Sequence, residues 1–329
     1  GLGRGGGLGL GILDVDDVLE GDPGDPGDDV PVRDLIPNAT VVLDQFTENR
    51  AGGSGGGIFS LGTLEVRNAK LSENVAYGAA DSVQVINPVS IVAGGALGGG
   101  IANEGTLSVR NSHFNDNRSE CADDIDALTT AFPDVALPGG SWGGAISNSG
   151  TSTVSHSHFV GNIANAGDRN SGDFAGIGAG GAIYNDQTLT VSHSRFKDNQ
   201  AIGGDENVSP FHNGHALGGA IGSGTLGALA GLTAEATVEH SSFQGNEALG
   251  GHNNTVTLPP EFIPLADGPN SAYGGAILIY QGSADLSALN VSDNLAQGGD
   301  GGAEQNGSIG VGGGIFLFSF LGSVEAQLE

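Results

Sequence analysis

The chain has 329 residues, 61 of them glycine, with 38 acidic side chains against 10 basic ones and a formal charge of −28. That balance excludes general nucleic-acid binding and argues against an anionic membrane as partner. The single cysteine, Cys121, excludes an intramolecular disulfide framework and reads as an inert thiol, and no stretch approaches the ~20 consecutive apolar residues of a membrane-spanning helix. The acidity itself fits either a saline or calcium-rich setting or simply a solvated acidic face.

Residues 1–36 read as a glycine-rich and acidic N-terminal segment or linker. Gly1 to Gly11 is glycine-rich, and Asp14 to Asp29 is an acidic run in which Pro and Gly break any regular element. Asp22, Asp25, Asp28 and Asp29 do not follow the spacing of an EF-hand loop or of a glycine-aspartate nonapeptide repeat. A chain that opens Gly-Leu-Gly and contains no methionine reads as a processed, mature form.

From residue 37 to residue 329 one pattern returns. A head, Gly-Gly-(Ala/Gly)-Ile, ends at Ile58, Ile101, Ile146, Ile183, Ile221, Ile277 and Ile315. A tail, an apolar residue then x-x-Asn, starts at Phe46, Leu71, Phe114, Phe159, Phe196, Phe243 and Val291. Apolar and polar residues alternate between head and tail, as at Leu189 and Val191 against Thr190 and Ser192, which predicts strands and excludes the i, i+3, i+4 stripe of helices. Repetition of this kind means a stack of short-stranded rungs. The shortest rung, counted from Asn49 to Asn74, is 25 residues, a length that suits three short strands with bends. Rungs stacked at about 4.8 Å would place the Ile residues in one internal ladder and the Phe residues in another. Asn tails at the bends, and Asn103, Asn148 and Asn185 at another corner, would form hydrogen-bonded ladders. The glycines before each Ile allow a tight bend where a Cβ would clash.

The paired GGAI and FxxN motifs resemble the polymorphic outer membrane protein repeats of chlamydia-type autotransporter passengers. More broadly, they resemble the right-handed parallel β-helix of pectate-lyase-like surface proteins. The resemblance covers about Pro37 to Glu329, a stretch that reads as departing from the family in having no expected C-terminal membrane barrel. It implies a secreted or cell-surface β-helix, often adhesive, and no catalytic residues.

After Asn74 each tail is followed by an excursion of 21 to 31 residues before the next head Ile, against 9 from Asn49 to Ile58. The insertion point is constant, so the excursions should leave from one corner and lie side by side, the usual place for a binding face in a repeat protein. A further insertion, containing Gly227 to Glu235, lengthens the Ile221 to Phe243 interval and should leave from a different corner. The excursions carry Asp123, Asp124, Asp126, Asp168, Asp173, Asp205, Glu206 and Asp300, which are the candidates for weak extracellular calcium binding. Pairs such as Asp168 with Asp173, or Asp205 with Glu206, are the residue types of a glycoside hydrolase, and Arg169 is the excursions' basic residue for a lyase reaction. Surface acid is the plainer reading.

His156, His193 and His240 occupy one place in successive rungs, three residues before the tail Phe. Zinc would accept a line of imidazoles, but Asn68 and Asn111 fill the same place earlier, which marks it as a polar bend. Ser157, Ser194 and Ser241 beside them read as small spacers and not as nucleophiles. Near the end, Leu278, Ile279, Tyr280, Phe316, Leu317, Phe318 and Phe320 are apolar on both faces of their strands, so either a loop covers them or they form a contact surface.

The sequence therefore predicts an all-β, right-handed parallel β-helix acting as a non-enzymatic extracellular or cell-surface module, structural or adhesive. Its partners would be host or surface glycans, or further copies added head to tail when the apolar Leu8 to Leu13 joins a neighbour's open edge. Such a module has calcium as its one possible ion, takes no nucleic acid and does not span the membrane. The alternative is a pectate-lyase-like carbohydrate-active enzyme or polysaccharide-binding protein.

Overall fold

The structure, a computed structural model, describes residues 8–10, 38–80, 83–87, 90–126, 135–210, 213–224, 233–257, 269–301, 308–318 and 325–328. Among the described residues there are strands and no helix. Each turn of the coil visits five faces. The head face stacks Leu8–Leu10, Ile58–Ser60, Ile101–Asn103, Ile146–Asn148, Ile183–Asn185, Ile221–Ser223, Ile277–Tyr280 and Ile315–Phe318 in that order. A flat face follows, running from Asn38–Val42 through Thr63–Arg67, Thr106–Arg110, Thr151–Ser155 and Thr188–Ser192 to Glu325–Leu328. A tail face runs from Gln45–Thr47 to Asn290–Ser292, an exit face from Arg50–Gly52 to Leu295–Gln297, and a return face from Ala96–Leu97 to Gly310–Val311. Every pairing along these five faces is parallel and in register, as in Ile101↔Ile146↔Ile183 and Phe114↔Phe159↔Phe196. The architecture is a right-handed parallel β-helix, the hand that parallel crossover connections favour. The shortest rung holds four short strands where three were expected, because the head and flat strands are separate elements joined by a turn at Leu61 and Gly62.

Local sequence explains the elements. In Thr63–Arg67, Leu64 and Val66 are buried while Thr63 and Arg67 face solvent, and the equivalent strands Thr106–Arg110 and Thr188–Ser192 repeat the alternation. The corner between flat and tail faces needs one left-handed residue per rung; Leu43, Asn68, Asn111, His156, His193, His240 and Ala288 take it, with φ between 48° and 59°. Asn and His tolerate that conformation better than most side chains, and Leu43 and Ala288 stand in the first and last of these corners. At the head, Gly180 has φ 63°, and a Cβ on Gly181 would lie 2.1 Å from the Gly219 carbonyl oxygen of the next rung. No side chain fits where two main chains approach so closely.

Inside, the head Ile side chains and the tail Phe side chains form the predicted ladders. Phe114, Phe159, Phe196 and Phe243 are fully buried, their rings 4.7, 4.8 and 4.7 Å apart and within 8° of parallel. The tail Asn side chains run unbroken from Asn49 to Asn294, each Nδ2 donating to the next Oδ1 at 2.8 to 2.9 Å. Each Oδ1 also accepts the backbone N–H of the Asn before it. A second ladder links Asn103 to Asn148 and Asn148 to Asn185, both at 2.8 Å, and ends on Ser223. These buried amides would each cost free energy without partners, so the ladders fix the register of the whole stack.

Leu8–Leu10 pairs with Ile58–Ser60 of its own chain, in the register Leu8↔Ile58. Leu8–Leu10, the described part of the Leu8 to Leu13 segment expected to reach a neighbour's edge, thus lies on the chain's own first edge. The insertion between Ile221 and Phe243 leaves after Gly224, between head and flat faces, and its residues 225–232 lie outside the described ones. Of the late apolar residues, Leu278 and Ile279 are covered, Tyr280, Phe316, Leu317 and Phe318 are half-buried, and Phe320 lies outside the described residues. Ile279 and Leu317 pack into the inner core, whereas Leu278 is covered in a second apolar cluster outside the coil, where Trp142, Tyr184, Tyr273 and Leu278 from the outer sides of the return and head faces pack with Leu137, Phe174 and Ile177 from the excursions.

Candidate functional site: the excursion strip

All six excursions leave between the exit and return faces, as their common insertion point requires. What the sequence reading missed is that they repeat among themselves. Ala122-Asp123-Asp124-Ile125, Gly167-Asp168-Arg169-Asn170, Gly204-Asp205-Glu206-Asn207 and Gly251-His252-Asn253-Asn254 are four copies of one short unit, legible once they are aligned on the tails. In the structure they stack. The second residue of each accepts from the next: Asp168 N–H donates to Asp123 Oδ1 at 3.0 Å, Asp205 N–H to Asp168 Oδ1 at 2.8 Å, and His252 N–H to Asp205 Oδ1 at 2.7 Å. Asp300 continues the row, its N–H donating to His252 Nδ1 at 2.9 Å. Asp124, Arg169, Glu206 and Asn253 form the adjoining row, all left-handed with φ between 54° and 57°. A third row is a further Asn ladder, in which Asn170 N–H donates to Asn207 Oδ1 at 2.7 Å and Asn207 N–H to Asn254 Oδ1 at 2.5 Å. Asp126, Ser171 and Val208 are joined by parallel bridges beside it.

Of the eight acidic candidates, Asp123, Asp168, Asp205 and Asp300 therefore share one row, and Asp124 and Glu206 the next. Asp126 lies at the strip's start, and the Asp173 carbonyl accepts the Ser209 hydroxyl at its side. The charges interact. Burial pushes the Asp168 carboxyl above the usual range, and the neighbouring Asp123 and Asp205 push it the same way against the pull of the Asp205 N–H and Arg169. Arg169 Nε and Nη2 meet Asp124 Oδ1 and Oδ2 at 2.8 and 3.1 Å, and Nη2 lies 3.6 Å from Asp123. That hydrogen bond holds the Asp124 carboxyl below its usual range. Among the described residues no three His, Cys, Asp or Glu side chains converge on a point that would hold a metal ion. The carboxylates form a line and not a cage, so the arrangement offers repeated, weak, outward-facing contacts along the axis.

The other candidates find structural places. His156, His193 and His240 stack at 4.9 Å with ring planes within 3°; rings lying flat on one another do not converge on one ion. Ser112, Ser157, Ser194 and Ser241 are buried, each accepting the backbone N–H of the equivalent residue in the preceding rung at 3.1 to 3.2 Å and donating to a carbonyl two residues back. The Cys121 thiol donates to the Gly140 carbonyl at 2.7 Å, and burial pushes its pKa up, away from a reactive thiolate.

No curated protein and no solved structure matches this chain. The model of the Chlamydia polymorphic membrane protein repeat matches residues 45–61. That stretch spans the tail Phe46 to Asn49, the shortest turn and the head Gly55 to Ile58, which are the parts that build the Phe, Asn and Ile ladders. Over residues 45–61, one of the chain's tail-to-head units, the sequence is thus similar to the Chlamydia polymorphic membrane protein repeat.

Proposed function

We propose that the protein is a non-enzymatic β-solenoid of the cell surface, a structural and adhesive module that presents its excursion strip to surface glycans. A surface location is what the matched repeat implies. The observation that carries the adhesive reading is the in-register stacking of the excursions: four copies of one unit, tied by Asp123, Asp168 and Asp205 to each other's backbone, make a continuous polar strip instead of an enclosed pocket. Strips of this type bind extended ligands by many weak contacts whose effects multiply along the axis. Calcium is the cation such a row would take, bridging its outward carboxylate oxygens to an anionic ligand at about 0.1–1 mM. Head-to-tail filaments have less support, because Leu8–Leu10 is already paired in cis.

The test is a triple variant, Asp123→Asn, Asp168→Asn and Asp205→Asn, which keeps an oxygen for each backbone N–H and removes the charge. Retention of the protein on immobilised surface glycans in millimolar calcium should fall at least tenfold. Equal retention of the variant would sink the strip as the adhesive surface.

A further inference from the structure

The net charge hides a segregation. Five of the ten Lys and Arg residues, and five of the eight His, lie at one corner of the coil, where the flat face turns into the tail face. Three lanes run along it. The flat-face lane carries Arg67 and Arg110, in register. The corner lane carries the stacked His156, His193 and His240. In the tail-face lane Lys70, His113, His158 and Arg195 are in register, with Lys197 two residues beyond Arg195. His113 and His158 are 4.9 Å apart. Apart from Lys197, which is half-buried, all are exposed.

Five carboxylates stand at or beside this corner, against the five Lys and Arg and the five His. Glu65 is held by Arg67 at 2.5 Å, and Asp198 by Lys197 at 3.4 Å. Asp44 precedes the lanes, Glu239 closes the flat-face lane beside His240, and Asp116 faces the next corner. Between them, Arg110 makes no ion pair among the described residues, and Arg195 meets only the neutral Gln244 at 3.5 Å. An otherwise acidic molecule thus carries an edge whose Lys and Arg balance its carboxylates and whose five histidines tip it positive when protonated, separate from the acidic excursion strip at the exit–return corner.

We propose that this edge is a binding site for a linear carboxylated or sulfated polysaccharide, engaged as the histidines take up protons. The charge spacing favours a sugar polymer. Where neighbouring rungs both carry a cation or histidine in a lane, as at Arg67 and Arg110 or from Lys70 to Arg195, they stand about 4.8 Å apart, which suits a chain bearing roughly one anion per sugar. Duplex DNA carries one charge per ~1.7 Å of axis and would meet the molecule's overall negative field at much higher density. Proton uptake and binding are linked. Imidazoles charge between about pH 5 and 8, and cations stacked face to face repel, so an anion laid along the row relieves the repulsion and is bound more tightly as the row fills. Partial burial, then His113 and Arg195, hold His158 below the usual imidazole range. This edge is distinct from the excursion strip, and the inference stands or falls separately from it.

Polygalacturonate is the probe, with neutral dextran and a single-stranded DNA oligomer at matched charge as controls. Wild-type protein should bind polygalacturonate at least tenfold more tightly at pH 5.5 than at pH 7.5, take up protons on binding at pH 6.5, and lose binding in 0.5 M salt. The decisive variant is His156→Asn, His193→Asn and His240→Asn. Asn already holds this left-handed place at Asn68 and Asn111, so the fold should survive, shown by unchanged melting, while the pH dependence collapses. Arg110→Gln with Arg195→Gln should weaken binding about equally at both pH values. Absence of binding by folded wild-type protein at pH 5.5, an unchanged pH dependence in the folded histidine variant, or equal binding of the DNA oligomer would each overturn the proposal. The Asp→Asn strip variant should bind polygalacturonate as wild type does, and loss of binding there would move the site to the strip.

Discussion

Arg169 reaches across one turn of the coil and holds Asp124 in a two-point ion pair, Nε to Oδ1 at 2.8 Å and Nη2 to Oδ2 at 3.1 Å. A guanidinium held in this way is a poor candidate for the base of a lyase reaction. Incubation with pectin or alginate for a day is expected to give no new unsaturated or reducing ends, and Arg169→Ala should change nothing in that assay. Product that disappears with Arg169→Ala would revive the enzyme reading.

The same pair has a pH signature. Asp124 titrates below its usual range because Arg169 donates to it, so its stabilising effect is present above the ordinary carboxylate pKa and is lost as pH falls through the lower folded value. Carbon-detected NMR of the Asp124 carboxyl should show its midpoint rising when Arg169 becomes Gln. The site is exposed, so the melting temperature should barely move.

His158 acts in the opposite direction from a paired base. Its pKa is lowered chiefly by burial, then by His113 and Arg195, so the unfolded chain binds protons more readily and stability rises with pH across this range. Denaturation midpoints should therefore fall as pH drops from about 7.5 to 5.5, and His158→Gln should flatten that slope. An unchanged slope would remove this histidine from the account.

Ladder positions should be the costly ones. Phe196→Ala opens a hole between two stacked rings and should cost about 3–5 kcal/mol. Asn199→Ala leaves the Asn162 amide and the Asn162 backbone N–H without their acceptor, at about 1–3 kcal/mol. Gly181→Ala drives a Cβ to 2.1 Å from a main-chain oxygen that has no room to yield; it should prevent folding of the central rungs. Fluorescence of Trp142, the single and fully buried tryptophan, reports all three in urea titrations.

Calcium gives the last prediction. If the strip's carboxylates repel one another, millimolar calcium should raise the melting temperature, and Asp168→Asn, which removes the carboxylate flanked by two others, should reduce that rise. No change in melting between chelator and 5 mM calcium would rule out a role for the ion.

The sequence by itself determined the coil. Head glycines, Ile, Phe and Asn recur at fixed offsets, and in a stack of rungs a fixed offset is a fixed position in space. The Ile, Phe and Asn ladders, the glycine bends and the polar bend shared by Asn68 and His156 could therefore be read without coordinates. The excursions were harder, because their spacing from the tails is regular but their lengths are not; Asp168 and Asp205 fall in register only when the intervening chain is folded back. The fate of Leu8–Leu10 and the covering of Leu278 also required the tertiary structure, since an open edge or an outward apolar side chain does not state which segment will meet it. The distribution of charge depended on it most. Composition gives a sum of −28, but electrostatics acts over distances comparable to the rung spacing. Only the coil, bringing Arg110, His156 and Arg195 from three different rungs to one corner, gathers an edge of cations and histidines out of an acidic chain.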